Sequence, residues 1–222
     1  MPETYAEIVN TLFGTDVTGV IAPVEDHTAS LHVAEREVIQ HASIKRQREF
    51  ASGRYCARLA LAQLGIQDFA LLPGTQREPQ WPDGIVGSIS HTHTLAGAVV
   101  SSKTEYRGIG FDIETIKKLR CDIARHVCTE PERTWLEKQT PLPYHQAVIL
   151  LFSIKEAVYK CIYQSFQIRI GFQECSVSPD ISAGRAAVQI EPDKLPALPA
   201  ALMASFQITP DYIFSGFVIP AA

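Results

Sequence analysis

Two periodicities divide the chain. Residues Phe50, Gly53, Ala57, Leu61 and Leu64 recur at helical spacing as one buried stripe within a helical region predicted from about Ala34 to Leu64, with Gly65 as its stop. Ahead of it, the first thirty residues predict a short helix and a strand near Val17 to Ala22. A polar, proline-bearing loop, Pro73 to Gly84, follows the helix. The runs Ile85–Ser90, Leu95–Ser101 and Tyr106–Glu114 are apolar, and the polar turns "HTHT" and "SKTE" between them predict antiparallel hairpins. Further on, Thr129-Glu-Pro-Glu132 has the form of a capping box and starts a helix through Trp135. "TPLP" ends that helix, and another is predicted from Tyr144 to Gln164. The segments "ECSVS", "AAVQIE", "MASFQIT" and "YIFSGFVI" then alternate as strands. Helices and strands mixed in this way predict an α+β fold. The turn at 102–105 is the expected seam between residues 1–103 and 104–222, and a length of 222 residues accommodates two halves of about 110.

The segment Tyr106-Arg-Gly-Ile-Gly-Phe-Asp-Ile-Glu114 carries the first chemical signal. In an extended chain Ile109, Phe111 and Ile113 share one face, while Asp112 and Glu114 share the other, roughly 7 Å apart. A D-x-E pair on a strand is most often the wet face of an antiparallel sheet. The helix "YHQAVILLFSIKEAVYKCIYQ" changes that weighing. It is apolar nearly all round, hence expected to be buried, yet it carries Glu156 between Phe152 and Tyr159, and Lys160 one turn on. An i, i+4 Glu–Lys pair is common on helices, but a buried carboxylate needs a partner or a proton. Asp112, Glu114 and Glu156 together would make an oxygen-ligand site for a hard cation such as magnesium. That ion takes few protein carboxylates and completes its shell with water and phosphate oxygens.

Phosphate-binding bases should then be close by. Arg46 and Arg54 lie two turns apart on one predicted helix, roughly 12 Å along its axis, and Arg77 sits in the proline-bearing loop. A solvated basic face is the plain alternative, although guanidinium groups suit phosphate because they donate two N–H bonds at once. His91 ends a strand, where it could donate to a phosphate. Ser90 beside it cannot form a catalytic pair with it, because neighbouring strand side chains point apart.

Composition narrows the partners. Hydrophobic residues make up 46% and charged ones 20%, with a formal net charge of −4, so any anion site is local and no dense basic stripe favours nucleic acid. Five cysteines without a C-x-x-C pair are expected to be reduced thiols. No signal-peptide pattern and no run near the ~20 apolar residues of a membrane span is found. The expectation is a cytoplasmic protein without membrane association.

"GFDIE" followed by "FSIKEAVYK" resembles the paired signatures of the 4′-phosphopantetheinyl transferases, G-(I/V)-D-x-E and (F/W)-(S/C/A)-x-K-E-(S/A)-x-x-K. "KRQREFASGRYCARLAL" and "REPQWPDGIVGSISHT" are similar to the enterobactin-type branch of that surfactin-type superfamily. The resemblance covers most of residues 43–175. It implies a monomer of two similar α+β halves related by a pseudo-two-fold axis, each an antiparallel sheet packed with helices, with coenzyme A as substrate bound between them. It also implies that magnesium is held by Asp112, Glu114 and Glu156. Arg46, Arg54, Ser90 and His91 would bind the 3′-phosphate and diphosphate end of coenzyme A. Lys155 and Lys160, with Asp112, would serve the pyrophosphate and the reacting centre. Glu156 is the implied general base, and Lys160 the group that stabilises developing charge. The implied partner is an apo acyl or peptidyl carrier protein of fatty-acid, polyketide, siderophore or nonribosomal-peptide synthesis. Two departures stand out. Phe111 replaces the usual Ile or Val before Asp112, and Gln76 and Arg77 stand where relatives carry a lysine, which moves the 3′-phosphate role to Arg77.

Two other readings compete. A magnesium-dependent phosphodiesterase or nuclease also uses carboxylate clusters, and a nucleotide- or carrier-binding module would leave the acids merely solvated.

Overall fold

A computed structural model describes residues 5–116, 123–138, 140–191, 195 and 201–221. Two antiparallel sheets, each covered by one long helix, form the fold. The first contains β1 (Thr18–Pro23), β2 (Ile85–His91) and β3 (Leu95–Ser102) in the order β1-β3-β2. The second contains β4 (Tyr106–Thr115), β5 (Cys175–Asp180), β6 (Arg185–Ile190), β7 (Leu202–Ile208) and β8 (Tyr212–Pro220) in the order β4-β8-β7-β6-β5. The expected α+β architecture is therefore present. Among the described residues no helix is long and apolar enough to cross a membrane.

The helical region expected from about Ala34 to Leu64 comprises two helices, α2 (Val33–Ile39) and α3 (Ile44–Gln63). Each has its own N-terminal cap. His32 accepts from Ala34 N–H while Glu35 accepts from His32 N–H, and Ser43 Oγ accepts from Arg46 N–H at 3.3 Å. Ser43 caps α3 ahead of the periodic pattern, which begins at Phe50. Leu64, expected on the buried stripe, lies at the C-cap and is exposed.

The hairpin expected between β3 and β4 does not form. Both edges of β3 are already taken, by β1 and by β2, so β4 enters the other sheet and pairs with β8. β3 is buried on both faces. Ala96, Ala98 and Val100 pack toward α3, while Leu95, Gly97 and Val99 meet a core shared with β4. That shared core contains Ile109, Phe111 and Ile113, the predicted apolar face of the carboxylate strand, together with Leu12 and Phe13 of α1 (Tyr5–Phe13). Phe111 fits the family's smaller-residue position because Gly97 opposite leaves room: a Cβ there would lie 2.9 Å from its ring.

The second long helix, α6 (Tyr144–Phe166), lies on the opposite face of β4. Gly108 and Gly110 make this approach possible. A Cβ on Gly110 would fall 1.7 Å from the Ala157 carbonyl oxygen, and one on Gly108 would fall 2.8 Å from that of Cys161. Strand alternation then places Asp112 and Glu114 on the same face as the two glycines, against the helix that carries Glu156 and Lys160. Preceding α6 are α4 (Ala124–Val127) and α5 (Glu130–Lys138). Cys121 lies outside the described residues; Cys56, Cys128, Cys161 and Cys175 are buried and form no disulfide among the described residues.

Candidate active site

The edges of the two sheets, β2 and β4, meet along a seam that side chains close instead of a backbone ladder. Ser88 Oγ accepts from Phe111 N–H at 3.0 Å, and Ser90 Oγ accepts from Ile113 N–H at 3.1 Å. Ser90 Oγ in turn donates to Asp112 Oδ1 at 2.9 Å. Gln164 of α6 spans the same seam, accepting from Ile109 N–H and donating to Gly87 O. Ser90, expected at the cofactor, thus uses its hydroxyl to hold Asp112.

Asp112 is buried, and its Oδ1 also receives Lys160 Nζ at 2.7 Å; Lys160 donates a second bond to Phe111 O at 3.0 Å. The other carboxylate oxygen, Oδ2, is buried and bonds to nothing among the described residues. Burial pushes the Glu114 carboxyl up to about 7; the charges of Asp112 and Glu156 push the same way and Lys160 opposes them. Glu156 is also raised, first by burial, with Lys160 lowering it and Asp112 raising it. Asp112 and Lys160 are therefore close enough to act on both glutamates. α6 is not buried all round: the side bearing Phe152, Glu156, Tyr159 and Lys160 is only half-buried. Among the described residues no group of three or more His, Cys, Asp or Glu side chains is placed to hold a metal ion as the side chains stand.

Arg46 and His91 meet at the far end of β2, with Arg46 Nη1 2.6 Å from His91 Nε2. Glu49 Oε2 lies 3.9 Å from Arg46 and 4.0 Å from His91. Burial, then the Arg46 charge, pushes the His91 ring below its usual value, so the ring is neutral and accepts the Arg46 N–H. Arg54 is 6% exposed, donates Nε–H to Leu71 O at 2.9 Å and stacks over Phe50, and burial pulls it down to about 10. It sits near Arg46 electrostatically but is tied into the first half's core.

Two cavities flank this cluster. The larger, about 430 Å³, lies between the halves, with Arg77 and Trp81 on one wall and Tyr159, Lys160 and Gln164 on the other. Arg77 stands at the tip of a tight turn, where it takes φ +68 and donates its N–H to Gly74 O. Lys103 and Arg107 add positive charge to the same cavity. The smaller, about 210 Å³, opens beside Glu156 and is lined by Tyr159, Ile170, Phe172 and Cys175.

Lys155 does not join the phosphate-facing bases. Its ammonium is buried and bonded to Glu132 Oε2 at 2.7 Å, Val127 O at 2.8 Å and Phe172 O at 2.7 Å. Lys155 lines the smaller cavity together with Glu156, but its ammonium is turned to Glu132 and the two carbonyls. Sequence reasoning also missed Gln164. The i, i+4, i+8 spacing of Glu156, Lys160 and Gln164 would have placed it on the site-facing stripe.

Residues 34–101 match the family model of the 4′-phosphopantetheinyl transferase N-terminal domain, and residues 108–208 match that of the 4′-phosphopantetheinyl transferase superfamily. The chain is 39% identical over 155 residues to the 4′-phosphopantetheinyl transferase Npt of Nocardia iowensis, covering 70% of this chain and 69% of that protein. It is 35% identical over 144 residues to the 4′-phosphopantetheinyl transferase PptT of Mycobacterium tuberculosis, covering 65% and 63%. To enterobactin synthase component D of Salmonella typhi it is 31% identical over 188 residues, covering 84% and 75%.

Proposed function

The chain belongs to the 4′-phosphopantetheinyl transferase superfamily, and from that premise we propose that it transfers the 4′-phosphopantetheine group of coenzyme A to a serine hydroxyl of an apo carrier protein, releasing adenosine 3′,5′-bisphosphate. One observation carries the reading. Gly108 and Gly110 let α6 settle on β4, and so bring Glu156 and Lys160 against Asp112 and Glu114 beside a cavity with basic walls.

The acidic group fits a divalent cation such as magnesium. One buried Asp112 oxygen lacks a partner among the described residues, and burial, with the Asp112 charge, raises both glutamates. Asp112, Glu114 and Glu156 would hold the ion, all hard oxygen donors. When bound, it would offset the charge on the pyrophosphate and the departing bisphosphate. Lys160, bonded to Asp112 in the free protein, reaches the cavity and can turn to the same phosphates, stabilising charge as it develops. Glu156, half-buried at the mouth of the smaller slot, is placed to take the proton from the carrier's serine. Arg46, His91 and Arg77 supply donors for the phosphates at the adenosine end. The narrow, mostly apolar slot beside Glu156 suits the pantetheine arm, which is aliphatic with two amides.

Incubation with coenzyme A, magnesium and an apo carrier, followed by intact-mass measurement, tests the reading. A carrier heavier by one phosphopantetheine group supports it. An unmodified carrier across a panel of acyl and peptidyl carriers, with coenzyme A intact, overturns it.

A further inference from the structure

The far wall of the slot beside Glu156 is the segment Ile170–Phe172, which belongs to neither sheet. Its position depends on one buried ion pair. Lys155 Nζ donates to Phe172 O in that wall, to Val127 O at the end of α4 and to Glu132 Oε2 in α5. All three ammonium hydrogens are thereby used. Glu132 is as fully engaged, accepting from Thr129 N–H through Oε2 and from Val177 N–H of β5 through Oε1, each at 2.7 Å. Both side chains are 1% exposed. Gln173 reinforces the same junction by donating to His126 O and Cys128 O. The pair therefore ties α4, α5, β5 and the slot's wall to the helix that carries Glu156. A lysine whose hydrogens all serve backbone and carboxylate has none left for phosphate.

We propose that Lys155 and Glu132 are positioning residues. Their ion pair fixes the width of the slot that receives the pantetheine arm, and neither residue contacts the phosphates. The proposal rests on the coenzyme A reading above. It separates two parts of one substrate: the arm feels the pair, and the adenosine bisphosphate end does not.

Calorimetric titration with coenzyme A and with adenosine 3′,5′-bisphosphate, which lacks the arm, makes the separation measurable. In Lys155→Met the affinity for coenzyme A should fall roughly tenfold to a hundredfold, the scale of a displacement near 1 Å, while that for the bisphosphate stays as in wild type. Because a single removal strands a buried charge, the double variant Glu132→Gln/Lys155→Met provides a neutral, similarly sized pair with the same expectation. A third measurement needs no variant: the ¹⁵N-resolved Lys155 ammonium signal of the wild type should shift with coenzyme A and stay still with the bisphosphate. Equal weakening of both compounds, a Lys155 signal that responds to the bisphosphate, or unchanged affinities in the folded variants would overturn the proposal. If the wild type binds neither compound, the coenzyme A reading itself fails.

Discussion

Ser90 of the first sheet donates to Asp112 of the second at 2.9 Å, and accepts from Ile113 N–H at 3.1 Å. One hydroxyl thus joins the two halves at the atom group on which the proposed chemistry turns. Ser90→Ala leaves the buried Ile113 N–H unpaired and Asp112 held only by Lys160. The expected cost is about 1–3 kcal/mol of stability, read by urea denaturation, with a lower transfer rate from a looser Asp112. Wild-type stability and rate in this variant would remove Ser90 from the account.

Gly110 permits the contact that assembles the site. In Gly110→Ala the added methyl would fall 1.7 Å from the Ala157 carbonyl oxygen, so helix or strand must move. Overpacking of this kind costs about 1–3 kcal/mol or more. Thermal unfolding should show a lower midpoint, and transfer should fall beyond what the lost stability explains, because Glu156 and Lys160 ride on the displaced helix. Gly108, whose Cβ would meet the Ser165 hydroxyl and the Cys161 carbonyl, is expected to behave alike.

Metal-free protein should lose stability as pH rises toward 8. Folding raises Glu114 from 4.5 to about 7. A carboxyl raised by folding binds its proton more tightly in the native state. Its contribution is therefore fully present below 4.5 and disappears as pH climbs through about 7. In chelator, the unfolding midpoint should drop between pH 5 and 8, and Glu114→Gln should flatten that slope. A slope unaltered by the substitution would show that Glu114 is not a source of the effect.

Arg46 and Arg54 separate by stability. Arg46 is exposed at the site, so Arg46→Ala should leave the unfolding midpoint nearly unchanged and weaken coenzyme A roughly tenfold or more, the loss of a charge-assisted bond. Arg54 is buried against Phe50 and Leu71 O, so Arg54→Ala should lower stability as well as affinity. Denaturation and calorimetry on the two variants check both expectations; an Arg54→Ala protein as stable as wild type would contradict the packing role.

Much of this arrangement was legible in the chain. The alternation in "YRGIGFDIE" placed Phe111 and Asp112 on opposite faces, and the tail strands fall close to where their period of two put them. What periodicity could not show was which edge each strand joins. β4 left the expected hairpin because β3 had no open edge, a fact that resides in the pairing of β1 some eighty residues upstream. The break before α3 lies ahead of the apolar spacing, which begins only at Phe50, and Ser43 is its local mark. Lys155 was read with its neighbour Glu156 from a motif, whereas its role depends on Glu132. That residue was recognised as part of a helix cap, a local signal with no hint of the distant ammonium it also binds.

The central claim is that Asp112, Glu114 and Glu156 hold one divalent ion beside coenzyme A. Crystals grown with coenzyme A and manganese, measured at the manganese absorption edge, test it most directly. The account predicts one anomalous peak bounded by carboxylate oxygens of all three residues and by a phosphate oxygen, absent in Asp112→Asn crystals prepared alike. A manganese-free cluster with coenzyme A bound, or a peak held by other residues, would contradict it.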